Sequence, residues 1–283
     1  MARLGQASNF WHFLCLPRAL KAVYALNYGF KRVIKLIFKA KGQDIVVNIP
    51  SKQALLVAVG ERFARHEGFA LATINLDHLV KLHTSESFAK AYAAQDLVVA
   101  DGNPVVWLSR LARRPVSLVP GSEMVLPLAG LAAQQGVKVA LFGSTDESLT
   151  ASAAALQKQV QGVDIVAKIS PPMGFDPASD EAAAMLEELE SSGAGLVLLA
   201  LGAPKQEAFA ARGRSLAPGL GFACFGAGLD FLSGAQNRAP KWVQAIAMEW
   251  AWRAALAPTR LIPRYARCFA ILPRLIREAL KLR

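Results

Sequence analysis

The sequence predicts an α/β protein: a Rossmann-like, mostly parallel sheet with helices on both faces. Short apolar runs alternate with longer amphipathic stretches through the middle of the chain. The runs are continuously apolar, as in a parallel sheet that is covered on both faces. Polar residues and glycines cluster directly after several of the runs, where ligands bind in folds of this class.

Seven apolar runs are predicted as strands, at residues 44–49, 70–75, 97–100, 139–143, 164–169, 196–201 and 222–226. Seven stretches next to them have helical periodicity, at residues 51–66, 77–94, 103–112, 122–135, 146–161, 179–192 and 205–216. The alternation indicates βαβ units that are joined into one domain.

The two ends of the chain differ from the middle in charge. Residues 1–42 hold eight Lys/Arg and no acid, and residues 251–283 hold eight Lys/Arg and one acid. Residues 43–250 hold 16 basic and 20 acidic residues, in a chain of net charge +11. We therefore predict a basic N-terminal extension over 1–42, a Rossmann-like domain over 43–250 and a basic C-terminal appendage over 251–283.

Both basic ends have helical periodicity with an apolar face. In the appendage, Pro263 and Pro273 favour two or three short helices over one rod. Residues 18–39 predict a second face of this kind, with Lys31, Lys35 and Lys39 beside apolar residues. Such faces suit an anionic membrane surface, and they would also suit nucleic acid. No uncharged run reaches the roughly 20 residues of a spanning helix.

The cysteines and histidines indicate neither disulfides nor a metal site. The three cysteines are scattered, and the four histidines lack zinc-binding spacing. We therefore expect a cytoplasmic protein without metal or other cofactor.

The segment LALGAPKQE, residues 199–207, ends a predicted strand and begins a predicted helix. Gly202 permits close approach of a ligand, and the helix N-terminus attracts an anion such as a diphosphate. Lys205 adds a positive charge, and Gln206 both donates and accepts, as recognition of sugar hydroxyls requires. An ordinary strand-to-helix turn with surface Lys and Glu is the alternative.

Asp101, in VVADG, follows another buried strand. A carboxylate there serves as general base if a substrate hydroxyl reaches it; the alternative is a cap on the helix near Asn103. In TINLD, Thr73 and Asn75 share one face of their strand, as a polar site pair or as a satisfied buried pair.

Two further loops complete the predicted edge. Gly143 and Ser144 follow the fourth predicted strand. The segment GAGLDFLSGAQNRAPKW contains Gly226 and Gly228, which suit a compact phosphate loop, and Arg238, which suits pairing with a phosphate, although its Gly-x-Gly is only part of a dinucleotide pattern. A long irregular connection is the alternative.

Taken together, these motifs resemble the WecG/TagA/CpsF family of bacterial glycosyltransferases over residues 45–270. The segments that carry the resemblance are TINLDHL, VVADGNPVVW, GSEM, LFGS, LALGAPKQE, GAGLDFLSGAQNRAPKW, MEWAWRAALAPTR and PRY, in this order.

The resemblance implies a metal-independent, inverting transfer of a sugar from a UDP-sugar to a polyprenyl-diphosphate-linked saccharide. It implies a peripheral location at the inner face of the cytoplasmic membrane and leaves a homo-oligomer open. By position, it implies Asp101 as base and Thr73, Asn75 and Gln206 as catalytic neighbours. Arg260 and Arg264 match the appendage arginines that face the diphosphate in the family. From their places at and after the strand ends, we also predict these substrate-binding residues: Gly102, Asn103, Gly143, Ser144, Gly202, Lys205, Gly226, Asp230 and Arg238.

The sequence departs from the family pattern at two positions. Leu118 stands where the family often has Arg, and Glu123 stands where it has Asp. Arg113 or Arg114 is the candidate replacement for the missing Arg. A nicotinamide-dependent oxidoreductase is the rival enzyme class, disfavoured because the full G-x-G-x-x-G pattern is absent. A nucleic-acid-binding protein is the rival outside enzymes, disfavoured by the acidic middle and by the apolar ends.

Overall fold

Eight strands and eleven helices make up the part of the chain that the structure, a computed structural model, describes: residues 35–234, 240, 243 and 249–283. The strands are β1 (Leu36–Ala40), β2 (Gln43–Val47), β3 (Phe69–Ile74), β4 (Leu97–Ala100), β5 (Val139–Gly143), β6 (Ile165–Ile169), β7 (Leu196–Ala200) and β8 (Gly221–Cys224). The helices are α1 (Lys52–Ala64), α2 (Leu76–Thr84), α3 (Glu86–Ala93), α4 (Asn103–Leu111), α5 (Gly121–Gln134), α6 (Asp146–Gln159), α7 (Asp180–Ser191), α8 (Lys205–Leu216), α9 (Gly228–Ser233), α10 (Glu249–Leu256) and α11 (Pro258–Lys281).

Six of the strands form one parallel sheet in the order β4-β3-β8-β7-β5-β6. Helices flank the sheet, so the predicted α/β fold is confirmed. The strands are almost entirely buried, as their continuous apolar runs require. All six carboxyl ends therefore meet at one edge of the sheet.

The prediction that residues 44–49 enter the parallel sheet is wrong. Strand β2 instead pairs antiparallel with β1 in a separate two-stranded sheet, with Ala40 opposite Gln43. Lys41 and Gly42 connect the strands with φ of 50° and 75°. Positive φ at both loop residues is typical of the tight turn that matches the twist of a hairpin. Just after β2 the chain bonds to the main sheet, where Ile49 N–H donates to Val98 O over 3.2 Å.

The prediction of a helical face over residues 18–39 is also wrong for residues 36–39, which the structure describes. Leu36–Ala40 is the strand β1, in which Leu36 and Phe38 are buried and Lys39 is exposed. The alternation of two replaces the helical period because the hairpin buries one face of the strand. The rest of that prediction, including Lys31, lies outside the described residues.

The helix predicted over 77–94 is divided into α2 and α3. Ser85 ends α2, and its side chain accepts from Phe88 N–H at the start of α3. A serine that caps a new helix offers the backbone an alternative to continuing the old one.

The appendage contains one long helix where several short ones were predicted. Helix α11 runs through both Pro263 and Pro273. A stripe along it is buried in the protein core: Leu261, Cys268, Leu275 and Ala279. Packing of this stripe offsets the two missing backbone hydrogen bonds.

Among the described residues, buried side chains that pack on the sheet include two large hydrophobic clusters. One joins the hairpin, α2, α3 and α4 to Leu275 and Ala279 of α11. The other joins β5, β7 and β8 to α7 and α8, where Phe142 stacks on Phe209 with ring centroids 4.3 Å apart. The C-terminal helix is therefore part of the core. No helix in the described ranges is both long and apolar enough to cross a membrane.

Candidate active site

The strand order creates a crevice at the carboxyl edge of the sheet. The chain passes from β3 outward to β4 on one side and from β5 outward to β6 on the other, with β8 and β7 between. Loops on the two sides of such a reversal diverge and leave room for a ligand. The loops after β3, β4, β5, β7 and β8 carry most of the predicted site residues.

Asn75 and Thr73 have structural partners at the end of β3. Asn75 caps α2, because its Oδ1 accepts from His78 N–H over 3.0 Å. Thr73 is buried, and its carbonyl accepts from His78 Nδ1–H over 2.7 Å. Burial lowers the pKa of His78 to about 4, so the ring is neutral near pH 7. His78 therefore holds the carbonyl of Thr73 and the side chain of Asn75 at the end of β3.

Asp101 lies beside Asn75 at the end of β4. Its backbone N–H donates to Ile74 O over 2.8 Å, and its side chain is half-buried. The following Gly102 has φ 102° and lies so close that a Cβ there would be 3.8 Å from Asn75 Cβ. Gly102, not Asp101, is the N-cap of α4, and Asn103 is its first residue. The alternative reading of Asp101 as the capping residue is therefore wrong.

Gln206 connects the loop after β7 to the loop after β8. Its Oε1 accepts from Gly226 N–H over 2.9 Å, and its Nε2 donates to Glu207 Oε1 over 2.9 Å. Both side chains are buried, and burial raises the pKa of Glu207 to about 7. Gln206 and Gly226, predicted separately as site residues, are therefore in direct contact.

The turn between β7 and α8 is open on one side. A Cβ added at Gly202 would meet no atom within 4 Å. Lys205 begins α8, and its backbone N–H donates to Gly202 O over 2.9 Å. The space above Gly202 is wide enough for a ligand to approach the main chain.

The loop after β5 is tied to α9. Ser144 Oγ and Ser148 Oγ donate to Asp230 Oδ1 over 2.9 Å and 3.2 Å. A Cβ at Gly143 would lie 2.7 Å from the carbonyl of Ala200, so only glycine fits between β5 and β7. The predicted residues Ser144 and Asp230 are therefore in direct contact, and Gly143 directly precedes Ser144.

Helix α11 reaches the same edge through Arg264. Its Nη2 lies 2.8 Å from Asp77 Oδ2, in the first turn of α2. Lys81 Nζ lies 2.9 Å from the same oxygen and donates to Ala203 O, in the turn after β7, over 3.0 Å. Burial raises the pKa of Asp77, but the bond from Lys81 and the charges of Arg264 and Lys81 lower it below its usual value overall. One carboxylate therefore connects the appendage to two loops of the site.

Among the described helices, four begin at this edge without a side-chain cap: α4, α5, α8 and the short α9, after Gly102, Pro120, Pro204 and Ala227. By contrast, Ser51, Asn75, Ser85, Thr145 and Ser179 cap α1, α2, α3, α6 and α7. Uncapped N-termini carry partial positive charge and unpaired N–H groups, which favour an anion. The edge therefore has the polarity that a phosphate-bearing ligand requires.

The remaining predicted residues are accounted for as follows. Arg238 and the side chain of Arg260 lie outside the described residues. Leu118 is exposed next to Val119, whose N–H donates to Ala100 O over 2.8 Å. Arg113 and Arg114 follow the far end of α4, about 14 Å of helix away from Asp101, so the geometry disfavours them as a replacement for the family Arg.

Sequence reasoning missed Asp77, Lys81 and Glu207. Asp77 and Lys81 have the i, i+4 spacing of a helical ion pair, which was a usable signal. Nothing in the local pattern shows that Glu207 is buried. Across the described ranges, no group of three or more His, Cys, Asp or Glu side chains could hold a metal ion.

The fold and this edge define an α/β protein with a polar, anion-favouring site at the carboxyl ends of its strands. The family model described as "Glycosyl transferase WecG/TagA/CpsF family" matches residues 43–283. The chain belongs to this family, and it is accordingly a glycosyltransferase of cell-surface polysaccharide synthesis. Its substrates are a sugar donor and an acceptor.

Proposed function

We propose that this chain transfers a sugar, with inversion, from a UDP-sugar to a saccharide linked to polyprenyl diphosphate at a membrane surface. The observation that carries the proposal is the position of Asp101. Asp101 is half-buried, its backbone N–H donates to Ile74 O beside Asn75, and it follows β4 at the edge where the uncapped helices α4, α5 and α8 begin. A base and an anion-favouring surface are the two requirements of transfer from a nucleotide sugar.

Asp101 acts as the general base in this scheme. It takes the proton of the acceptor hydroxyl while that oxygen attacks the anomeric carbon, and UDP leaves from the opposite face of the sugar ring. Attack opposite the leaving group inverts the anomeric centre. Asn75 follows the neighbouring strand β3 and Gln206 follows β7 at the same edge, and both orient the sugar through their amide groups.

The leaving diphosphate gains negative charge during the transfer. The N-termini of α4, α5 and α8 carry partial positive charge toward it. Lys205 and Arg264 supply full charges, and Arg264 is held at this edge by Asp77. Oriented groups of this kind stabilise a transition state without reorganising, so the scheme requires no divalent cation.

Helix α11 contacts the membrane in this proposal. Its exposed apolar side chains form a stripe beside the buried one: Ile262, Phe269, Ile276 and Leu280. Arg267, Arg274, Arg277 and Lys281 are exposed on the same helix. Each such cation near an anionic surface contributes about 1 kcal/mol, and the apolar stripe inserts between headgroups. The helix thereby keeps the site near a lipid-linked acceptor.

A donor panel tests the proposal. Purified protein is mixed with a short-chain lipid-diphosphate-saccharide and UDP-linked N-acetylmannosamine, its uronic acid or glucose, and UDP release is measured with and without EDTA. We expect release with one donor only, unchanged by EDTA, and a product of inverted anomeric configuration by NMR. Retention of configuration, or a requirement for a divalent cation, contradicts the mechanism.

A further inference from the structure

The side-chain amide of Gln206 is held at both ends. Its oxygen accepts from Gly226 N–H and its nitrogen donates to Glu207 Oε1, each over 2.9 Å. A flipped amide would place its NH₂ against the Gly226 N–H and its oxygen against the carboxyl oxygen of Glu207. The two bonds therefore select one orientation of a side chain that is only 3% exposed.

Burial of the Glu207 carboxyl group at this position lowers the stability of the fold. Its side chain is 0% exposed, and its Oε2 has no hydrogen-bond partner. A buried carboxyl group with an unpartnered oxygen costs stability that an apolar side chain of similar volume would not. The polar contact of Oε1 with Gln206 is what a leucine could not reproduce.

The main chain of Glu207 is anchored separately from its side chain. Gln95 Nε2 donates to Glu207 O over 3.0 Å and to Ala91 O over 2.8 Å. Gln95 thus fixes where the first turn of α8 lies, without touching the Gln206 amide. Mutation can therefore remove the hydrogen bond to the main chain of Glu207 and the hydrogen bond to its side chain separately.

We propose that Glu207 is a positioning residue: its carboxyl group sets the orientation of the Gln206 amide and so pins the turn after β7 to Gly226 in the loop after β8. The importance of this for turnover rests on the proposed function. Oε1 accepts from Gln206 whether or not Oε2 carries a proton, so the link persists in both ionisation states. The fixed amide retains one N–H and one lone pair for a sugar hydroxyl.

Hydrogen exchange of the Gly226 amide in the unliganded protein tests the link directly. In Glu207→Leu the Gln206 NH₂ group loses its acceptor partner, and we expect Gly226 to exchange about tenfold faster, the equivalent of one hydrogen bond. Glu207→Gln keeps an accepting oxygen and should stay within about threefold of the original rate. Gln206→Leu removes the acceptor itself and should accelerate exchange at least as much as Glu207→Leu.

Gln95→Met is the matched control, because it removes the main-chain anchor and leaves the carboxyl group in place. It should lower the free energy of unfolding by about 1 kcal/mol without a selective effect on Gly226. Unchanged Gly226 exchange in Glu207→Leu, or equal acceleration in Gln95→Met, overturns the proposal. If Glu207→Leu does not fold, Glu207→Met takes its place, because methionine also fills the site and offers the Gln206 NH₂ no carboxyl oxygen.

Donor kinetics then separate this proposal from the proposed function. We expect the donor kcat/KM to fall about tenfold in Glu207→Leu, to recover in Glu207→Gln and to be unchanged in Gln95→Met. A wild-type protein that turns over no UDP-sugar contradicts the proposed function, while Gly226 exchange still decides on the role of Glu207. Normal turnover by Glu207→Leu contradicts the positioning role alone.

Discussion

Arg264 Nη2 of the C-terminal helix lies 2.8 Å from Asp77 Oδ2, in the first turn after β3. Asp77 is two residues from Asn75, so this contact brings an appendage cation to the predicted site. Asp77 also binds Lys81, which holds the turn after β7. The Asp77 carboxylate therefore links α11 to the first turn after β3 and, through Lys81, to the turn after β7.

We expect Arg264→Ala to lower donor kcat/KM by about 10²–10³, because a fixed cation that faces the leaving diphosphate is lost. The measurement is UDP release with a short-chain acceptor in the absence of membranes. Arg267→Ala, an exposed neighbour on the same helix, should leave this rate unchanged. Equal loss in both variants would indicate a general effect of charge.

The ion pair itself should add little to stability. Because the Arg264 side chain is 40% exposed, a double-mutant cycle with Asp77→Asn should give a coupling energy of about 1 kcal/mol or less in urea unfolding. A much larger coupling energy would mean that this ion pair holds α11 in place. We attribute that role to the buried apolar stripe of α11.

Asp101→Asn should reduce turnover by about 10²–10⁴ and leave the unfolding midpoint nearly unchanged, because only the general base is lost. Asp96→Asn is the control at the opposite end of β4. Asp96 Oδ2 accepts from Ala70 N–H and Arg214 Nε–H, each over 2.8 Å. We expect this variant to lose stability and keep its turnover. Wild-type turnover by Asp101→Asn would falsify the assignment of the base.

Glu207 and His78 should give stability opposite dependences on pH. The pKa of Glu207 rises from 4.5 to about 7 on folding, so the native state binds more protons and stability falls as pH increases through this window. The pKa of His78 falls from 6.5 to about 4, so stability falls as pH decreases through that window. The two effects oppose each other where the windows overlap.

Comparison with Glu207→Gln isolates the carboxyl group. The difference in unfolding free energy between wild type and variant should fall by up to about 1.4 kcal/mol per pH unit between pH 4.5 and 7, and then level off. Urea unfolding at a series of pH values provides the measurement. A difference independent of pH would show that burial does not shift this pKa.

Two glycines of the site should respond differently to alanine. Gly143→Ala forces a Cβ to within 2.7 Å of the Ala200 carbonyl at φ 108°, and we expect a loss of at least about 3 kcal/mol in unfolding free energy. Gly202→Ala meets no atom within 4 Å, so stability should change by less than about 0.5 kcal/mol. If the ligand occupies the space above Gly202, Gly202→Ala should weaken UDP binding while the protein stays folded. Gly143→Ala should instead act through loss of stability. Calorimetry measures UDP binding by both variants.

Membrane binding should be tested by point substitution, because truncation of α11 would remove Leu275 and Ala279 from the core. Ile262 and Phe269 are 58% and 54% exposed, and we expect their double replacement by Ser to reduce flotation with anionic vesicles about tenfold or more. Met173→Ser, in the loop after β6, removes an apolar side chain that is even more exposed and should have no effect. Equal flotation of all three proteins would contradict the membrane role of α11.

The hairpin and helix α11 show where sequence patterns were insufficient. Both segments combine apolar and basic residues in ways that fit a helical period, yet one became a strand and the other continued through two prolines. In each case the deciding factor was a partner distant in the chain or a tight turn. Local periodicity does not contain that information.

The sequence by itself determined the alternation of strands and helices, the polar residues at the strand ends and the resemblance to the family. These features depend on neighbours a few residues apart, so the printed order of residues is enough to reveal them. Only the tertiary structure decided that Gln206 donates to Glu207 and accepts from Gly226, and that Asp77 pairs with Arg264. These contacts depend on which strands become neighbours in the sheet and on how α11 packs, and both are set by burial across the whole domain.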